Sequence, residues 1–115
     1  MAEEKPDRKK TWDSEKEHPE MSKIIKEALR EVKDPELGRD IIQLGLIRNV
    51  EISDQKINIT MILTTPYCPY GPMMMEAARK KAEKTAEMPA EIVYGTEAWD
   101  PTMMEEGSDF DWGLF

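Results

Sequence analysis

The most regular pattern in this sequence is an alternation of apolar and polar residues over positions 56–64. Only Ile62 breaks it, and the alternating apolar positions are Ile57, Ile59, Met61 and Leu63. Because successive side chains of a strand point to opposite faces, we expect one face of this segment to be buried. A shorter apolar series precedes it, interrupted by Arg48: Leu46, Val50 and Ile52. With the turn residues 53–55 between them, the two segments predict an antiparallel hairpin.

Segments with helical periodicity lie on both sides of the predicted hairpin. The first helix is predicted to begin at Ser22 as its N-cap and to end near Lys33, because Pro35 disfavours helical backbone at the residue before it. Its apolar face holds Ile25, Leu29 and Val32. The second helix is predicted from Pro72 to just before Pro89, with an apolar stripe of Met74, Ala78, Ala82 and Ala86. A third strand follows at Ile92, Val93 and Tyr94.

The order helix, strand, strand, helix, strand predicts an α+β fold. We expect a small two-layer sandwich with both helices on one face of a three-stranded sheet. Residues 21–104 form this predicted domain. Residues 1–20 are nearly all polar and predict a disordered tail, and residues 105–115 predict an acidic C-terminal tail.

Composition excludes several classes of function. The chain has 115 residues and a net charge of -8, which argues against nucleic acid as a partner because binding phosphates needs a basic surface. No apolar run approaches the roughly 18 residues of a membrane span. The first residues contain no apolar signal core, so we expect a cytoplasmic protein with no membrane partner. A single cysteine excludes an internal disulfide and a metal cage built from cysteines of this chain alone.

The remaining candidate for chemistry is Cys68, since the common enzyme motifs are missing and the sole histidine, His18, lies in the predicted tail. Cys68 lies in a proline-rich loop just before the predicted helix start at Pro72, where unpaired N–H groups and the helix dipole favour a thiolate. Thr64 and Thr65 precede it and offer hydroxyl hydrogen bonds to the sulfur or to a ligand on it. The alternative is that Cys68 is a small buried apolar residue. Spacing alone leaves both hypotheses open.

Two acids, Asp34 and Glu36, lie in a predicted turn that ends at Gly38, a residue able to adopt positive φ. From the residues alone they are best interpreted as solvated turn residues.

Three segments together resemble the SufT/PaaD family of iron–sulfur cluster assembly factors, formerly catalogued as a domain of unknown function. They are Asp-Pro-Glu-Leu-Gly at 34–38, Leu-Gly-Leu-Ile at 44–47 and Thr-Thr-Pro-Tyr-Cys-Pro at 64–69. The resemblance covers about residues 22–104, in order and with compatible spacing. It departs from the family at residues 99–104, which look like a shortened version of a longer segment.

The resemblance implies an α+β fold and a non-enzymatic role in delivering or maturing iron–sulfur clusters. It also implies that five residues gather at one site: Asp34, Glu36, Thr64, Thr65 and Cys68. Cys68 then supplies one thiolate to a transient iron–sulfur cluster, or forms a bond with a partner. A cluster needs about four ligands, so the others would come from a second copy in a homodimer, a client or a small thiol.

The partners implied are iron–sulfur client proteins or other assembly factors. Two alternatives remain at this point. One is an adaptor that docks clients without binding metal, with Cys68 as a structural residue. The other is a thiol-dependent enzyme that uses Cys68, although the sequence shows no obvious base or resolving cysteine for it.

Overall fold

The computed structural model describes residues 12–35, 37–65 and 69–104. Three α-helices and three strands follow one another as α1 (Asp13–Glu17), α2 (Pro19–Leu29), β1 (Ile47–Ile52), β2 (Ile57–Met61), α3 (Gly71–Ala86) and β3 (Ala90–Tyr94). A short 3₁₀-helix, Pro101–Met103, comes after β3. The predicted order of two helices and three strands is confirmed, with α1 as an addition.

The strands form one mixed sheet in the order β1-β2-β3. β1 and β2 make the predicted antiparallel hairpin, in which Ile52 lies opposite Ile57. β3 runs parallel to β2, with Ile92 opposite Ile59. Parallel neighbours need a crossover connection, and α3 provides it.

The buried face of β2 is the one that the alternation predicts. Ile57, Ile59 and Met61 are fully buried, whereas Asn58 and Thr60 on the other face are only half-buried. The apolar stripes of α2 and α3 join the same core. The two helices also contact each other, and just after the end of α2 the Glu31 Oε1 atom lies 2.6 Å from Lys81 Nζ of α3. This hydrogen bond and the lysine charge lower the pKa of Glu31, so the pair is charged at neutral pH and weakens as the pH falls through that lowered pKa.

The bounds of α2 differ from the prediction at both ends. The helix begins at Pro19, and Ser22 lies buried inside it, where its hydroxyl accepts a hydrogen bond of 2.8 Å from Ser14 Oγ. It ends at Leu29, four residues before Lys33. Lys33 is held in an isolated β-bridge with Asp40, and this extended conformation stops the helix early.

Residues 12–20 are folded, so the predicted polar tail is wrong over this part. Trp12 is only 4% exposed, and its Nε1 donates to the carbonyl of Ile47 at 3.2 Å. The Asp13 N–H donates to Asn49 Oδ1 at 2.8 Å, which places α1 beside β1. Burial of the large Trp12 side chain helps to offset the entropy lost when this short polar segment becomes ordered. Residues 1–11 and the predicted tail 105–115 lie outside the described residues.

None of the helices within the described ranges combines the length and the apolar composition of a membrane span.

Arg48 interrupts the apolar pattern of β1 because the strand has a bulge there. The pairing register with β2 shifts between Ile47 and Asn49, and Arg48 is 2% exposed. Its Nε donates to Glu97 Oε1 at 2.9 Å, and its Nη1 donates to the carbonyl of Gly45 at 3.3 Å. The guanidinium is therefore a buried charge that depends on a carboxylate 49 residues further along the chain.

We expect Glu97→Gln to destabilise the domain by about 2 kcal/mol, because it removes a carboxylate that pairs with the buried charge of Arg48 at 2.9 Å. Glu91→Gln is the matched control, since Glu91 pairs with Lys56 at 3.2 Å but both side chains are largely exposed. That change is expected to cost less than about 0.5 kcal/mol. Urea unfolding measures the free energy of unfolding of both variants, and equal small losses would contradict the importance of the Arg48–Glu97 pair.

Candidate functional site

The loop that carries Cys68 has a closely packed base. It leaves the fold after Leu63, which is buried, and returns at Gly71, the first residue of α3. A Cβ atom at Gly71 would lie 2.5 Å from Leu63 Cδ1, so the first residue of α3 packs directly against the Leu63 side chain. Residues 64 and 70 are thereby held near each other. Cys68 itself lies outside the described residues.

The start of α3 suits a negatively charged group. Tyr70 is its N-cap residue and makes no side-chain capping hydrogen bond, and the first turn contains no acidic residue. α3 begins at Gly71, one residue before the predicted start at Pro72. Because the first amides of a helix have no partners within it and lie at the positive end of its dipole, they stabilise nearby anions.

Thr64 lies in a groove of about 340 Å³ between the end of β2 and the segment from Tyr94 to Trp99. Thr64 is half-buried there, and the next residue, Thr65, is exposed. Tyr94 contributes a side chain that is 48% exposed. The groove thus has a hydroxyl at the base of the Cys68 loop and an accessible aromatic ring at its wall.

The wall formed by residues 94–99 is fixed to the turn that precedes β1. Trp99 Nε1 donates to the carbonyl of Leu44 at 2.6 Å. Glu97, in the same wall, accepts the hydrogen bond from Arg48 Nε. Gly45 has φ +75°, and a Cβ atom there would overlap the backbone of Met103, so the 3₁₀-helix packs directly on this turn. The one sign of this wall in the sequence was the charge of Arg48, which interrupts the apolar pattern of β1 and pairs with Glu97.

Asp34 is 1% exposed and organises the loop after α2. Its Oδ1 accepts from the N–H of Leu37 at 3.3 Å, and its own N–H donates to the carbonyl of Arg39 at 2.9 Å. Its carbonyl accepts from Gly38 N–H at 2.8 Å, where Gly38 has φ +71°. The predicted turn is confirmed, but Asp34 is buried rather than solvated.

The predicted site residues therefore lie on two loops. Asp34 belongs to the loop after α2, and Thr64 and Thr65 belong to the loop after β2. Glu36 and Cys68 lie outside the described residues, so the gathering of all five residues stays a prediction. Within the described ranges no three His, Cys, Asp or Glu side chains are grouped so as to hold a metal ion.

Comparisons with known proteins agree with the motifs. Residues 23–92 match the family described as "Iron-sulfur cluster assembly protein". A Porphyromonas gingivalis protein named "Fe-S protein maturation auxiliary factor" is 33% identical over 90 residues, which cover 75% of this chain and 85% of the relative. The Staphylococcus aureus "Fe-S protein maturation auxiliary factor SufT" is 41% identical over 49 residues, covering 42% of this chain and 56% of the relative.

A longer relative matches through one part of its length. The Synechocystis "Iron-sulfur cluster carrier protein" is 42% identical over 57 residues, and these cover 50% of this chain but only 16% of that protein. Among solved structures, the DUF59 domain of Bacillus anthracis superposes with a TM-score of 0.76 at 23% identity, covering 87% of this chain and 98% of that one. This likeness shows a shared fold.

The motifs, the fold and the family match over residues 23–92 lead to one conclusion. The chain belongs to the iron–sulfur cluster assembly protein family, in agreement with its resemblance to SufT.

Proposed function

We propose that this chain is a non-enzymatic factor in iron–sulfur cluster assembly or client maturation, in which the Cys68 thiolate contacts a transient cluster or a partner. The observation that carries the proposal is the packed base of the Cys68 loop. Gly71 lies against Leu63, the residue before Thr64, so the two ends of the Cys68 loop meet beside the groove that Thr64 lines. The relatives named as auxiliary factors and as a carrier protein support a non-enzymatic role over a thiol enzyme.

The thiolate form of Cys68 has support from the local electrostatics. Cys68 precedes Gly71 by three residues, and the first-turn amides of α3 have no side-chain cap among the described residues. A cysteine near a helix N-terminus ionises more readily than a free one, and the thiolate is the form that binds iron. Thr64 and Thr65 would donate hydroxyl hydrogen bonds to the sulfur or to its ligand.

A cluster bound at Cys68 would need ligands from another molecule as well as from this chain. The chain has one cysteine, and the described residues contain no group of three metal-ligating side chains. Since an iron–sulfur cluster requires about four ligands, a second copy, a client protein or a small thiol must supply the rest. The proposed partners are accordingly clients and other assembly factors, in the cytoplasm as predicted from the sequence.

A docking role without metal is the second candidate, and one observation favours it. Two large apolar side chains at the start of α3 are exposed, Tyr70 by 38% and Met73 by 58%. Exposed aromatic and methionine side chains are typical anchors of protein interfaces. In this adaptor role the same loop would contact clients, and Cys68 would be structural.

We expect Cys68→Ser to stay folded and to abolish the maturation of an iron–sulfur client in cells that lack the wild-type protein. Serine is nearly the same size as cysteine, but its hydroxyl is a poor ligand for iron. The double variant Cys68→Ser, Asp54→Cys is the matched control, because it keeps one thiol per chain but moves it to the exposed turn between β1 and β2. The control should also fail to support the client enzyme.

Full client activity with a folded Cys68→Ser protein would overturn the ligand role and favour the adaptor. A Cys68→Ser protein that unfolds, together with a wild-type thiol that resists alkylation, would make Cys68 a core residue.

The double change Asp34→Asn, Glu36→Gln tests whether the acids border the site. Negative charge near a thiol raises its pKa, so neutralising both acids should increase the thiolate fraction at neutral pH. A decrease of about half a pKa unit would raise the iodoacetamide rate roughly threefold. Cys68 is the only thiol, so the measured rate reports one site. Glu51→Gln, an exposed change on β1, is the control, and equal rates in all three proteins would place both acids away from the sulfur.

A further inference from the structure

The two edges of the sheet differ in how they are protected against pairing with another strand. β1 is covered by α1, and Trp12 Nε1 donates to the carbonyl of Ile47. β1 also carries a bulge and the inward-pointing charge of Arg48. Natural sheets block their edges by such covers, bulges and inward charges. The β1 edge is therefore closed to a further strand.

The outer edge of β3 has backbone groups that face away from β2. Gly95 N–H donates to the carbonyl of Met61 in β2 at 2.7 Å. Because the direction of backbone groups alternates along a strand, residues 91 and 93 also face β2. The N–H and C=O groups of Ile92 and Tyr94 then point outward, and no described strand pairs with them.

The side chains around this outward stretch leave it open. Arg79 Nη1 approaches the carbonyl of Ala90 at 3.5 Å, which protects only the start of the strand. Val93 is 57% exposed and Tyr94 is 48% exposed, and the strand has no lysine, proline or bulge. An open edge of this kind accepts an extended polypeptide segment, which gains its affinity from main-chain hydrogen bonds.

The groove of about 340 Å³ lies at the end of this open edge. Tyr94 is the last residue of β3 and lines the groove together with Glu97 and Trp99. Aromatic rings attract cations through the negative charge of their faces. Glu97 is the only charged residue among the described residues that line the groove. Two aromatic side chains and one carboxylate suit a cationic side chain.

The charge that a ligand meets in this groove is negative. The side chain of Glu97 is 37% exposed, whereas that of its partner Arg48 is 3% exposed, so a ligand reaches the carboxylate and not the guanidinium. Lys56, which lies beside β3, is paired with Glu91 at 3.2 Å. The described residues 85–104 include no lysine or arginine. Their acids are Glu87, Glu91, Glu97 and Asp100.

We propose that the β3 edge and this groove together bind an extended segment of a partner protein that carries a lysine or an arginine. The segment adds a strand beside Ile92 and Tyr94. Its residue opposite Tyr94 presents the cationic side chain to the groove, because residues opposite each other in a sheet have their side chains on the same face. The inference rests on the proposed function in one respect, namely that the partner is an iron–sulfur client.

Charge favours such a segment over a second copy of this chain. Each copy has a net charge of -8. Pairing of two β3 edges would bring the same acidic segment, residues 85–104, against itself, and like charges oppose association.

A selection of short random peptides displayed on phage, with the full chain as bait, supplies the probe. We expect the enriched peptides to combine residues that favour strands with one lysine or arginine. In the saturated complex the amides of Ile92 and Tyr94 should exchange at least about tenfold more slowly. The amides of Glu91 and Val93, which already face β2, are internal controls. The proposal would be overturned by no enrichment, by enriched peptides without a cationic residue, or by binding that leaves Ile92 and Tyr94 unprotected.

Two changes in the selected peptide separate the strand pairing from the groove contact. Methylating the peptide nitrogens that face β3 should abolish binding, whereas methylating the alternate nitrogens should not. Replacing lysine with norleucine, or arginine with citrulline, removes the charge and should weaken binding about fivefold or more. Equal effects of the two methylated sets would contradict the strand pairing, and equal affinity of the neutral peptide would contradict the groove contact.

Three protein variants locate the binding. Tyr94→Leu should remove most of the preference for the charged peptide, whereas Val93→Thr, on the opposite face of β3, should keep it. Cys68→Ser is expected to bind the peptide as the wild type does, because residues of the edge and the groove make the contacts. Lost client maturation with intact peptide binding in Cys68→Ser therefore concerns the thiol. Lost peptide binding with intact maturation would overturn this inference alone.

The same measurements identify any other occupant of the edge. Peptide binding that appears only in a chain truncated after Met104 would assign the edge to the chain's own C-terminal segment. Protection of Ile92 and Tyr94 that increases with protein concentration, without peptide, would assign it to a second copy. Either result would overturn the proposal.

Discussion

The contact between Gly71 and Leu63 is the constraint on which the proposed site depends. It joins the end of β2 to the start of α3, so the loop between them is closed at its base whatever its own conformation. From this start α3 crosses back, and β3 runs parallel to β2. A side chain at position 71 would meet Leu63 Cδ1, so the Leu63 side chain would have to move to make room for it.

A second group of contacts holds the other side of the groove. The start of β1 and the turn before it accept hydrogen bonds from both ends of the described chain, since Trp12 donates to Ile47 and Trp99 donates to Leu44. Both tryptophans lie outside residues 23–92, which match the family. The two flanking segments therefore fold onto the start of β1 and the turn before it, and the C-terminal one completes the wall that faces Thr64 through Glu97 and Trp99.

Local patterns predicted the parts of the fold that local chemistry determines. The alternation around Ile59 predicted β2 and its buried face, and Pro72 predicted the start of α3 to within one residue. Contacts between distant residues were not predictable in this way. Trp12 anchors a segment whose composition is otherwise that of a disordered tail, and the bridge of Lys33 to Asp40 shortens α2 against its own periodicity.

The same distinction holds for the candidate site. The charge of Arg48 was visible in the sequence, but its partner Glu97 is 49 residues away, and no spacing rule connects the two. Asp34 was correctly predicted in a turn, yet its burial follows from the packing of the loop after α2. The motif that contains Cys68 indicated the family, and the structure adds the packed base of its loop.

The proposal that Cys68 holds a transient cluster is tested most directly by anaerobic reconstitution with iron, sulfide and a small thiol, followed by native mass spectrometry. The proposal predicts that the wild-type chain retains iron and sulfide as a cluster whose remaining ligands come from a second chain or from the small thiol. It also predicts that Cys68→Ser retains neither. A folded wild-type protein that binds no more iron and sulfide than Cys68→Ser would contradict it.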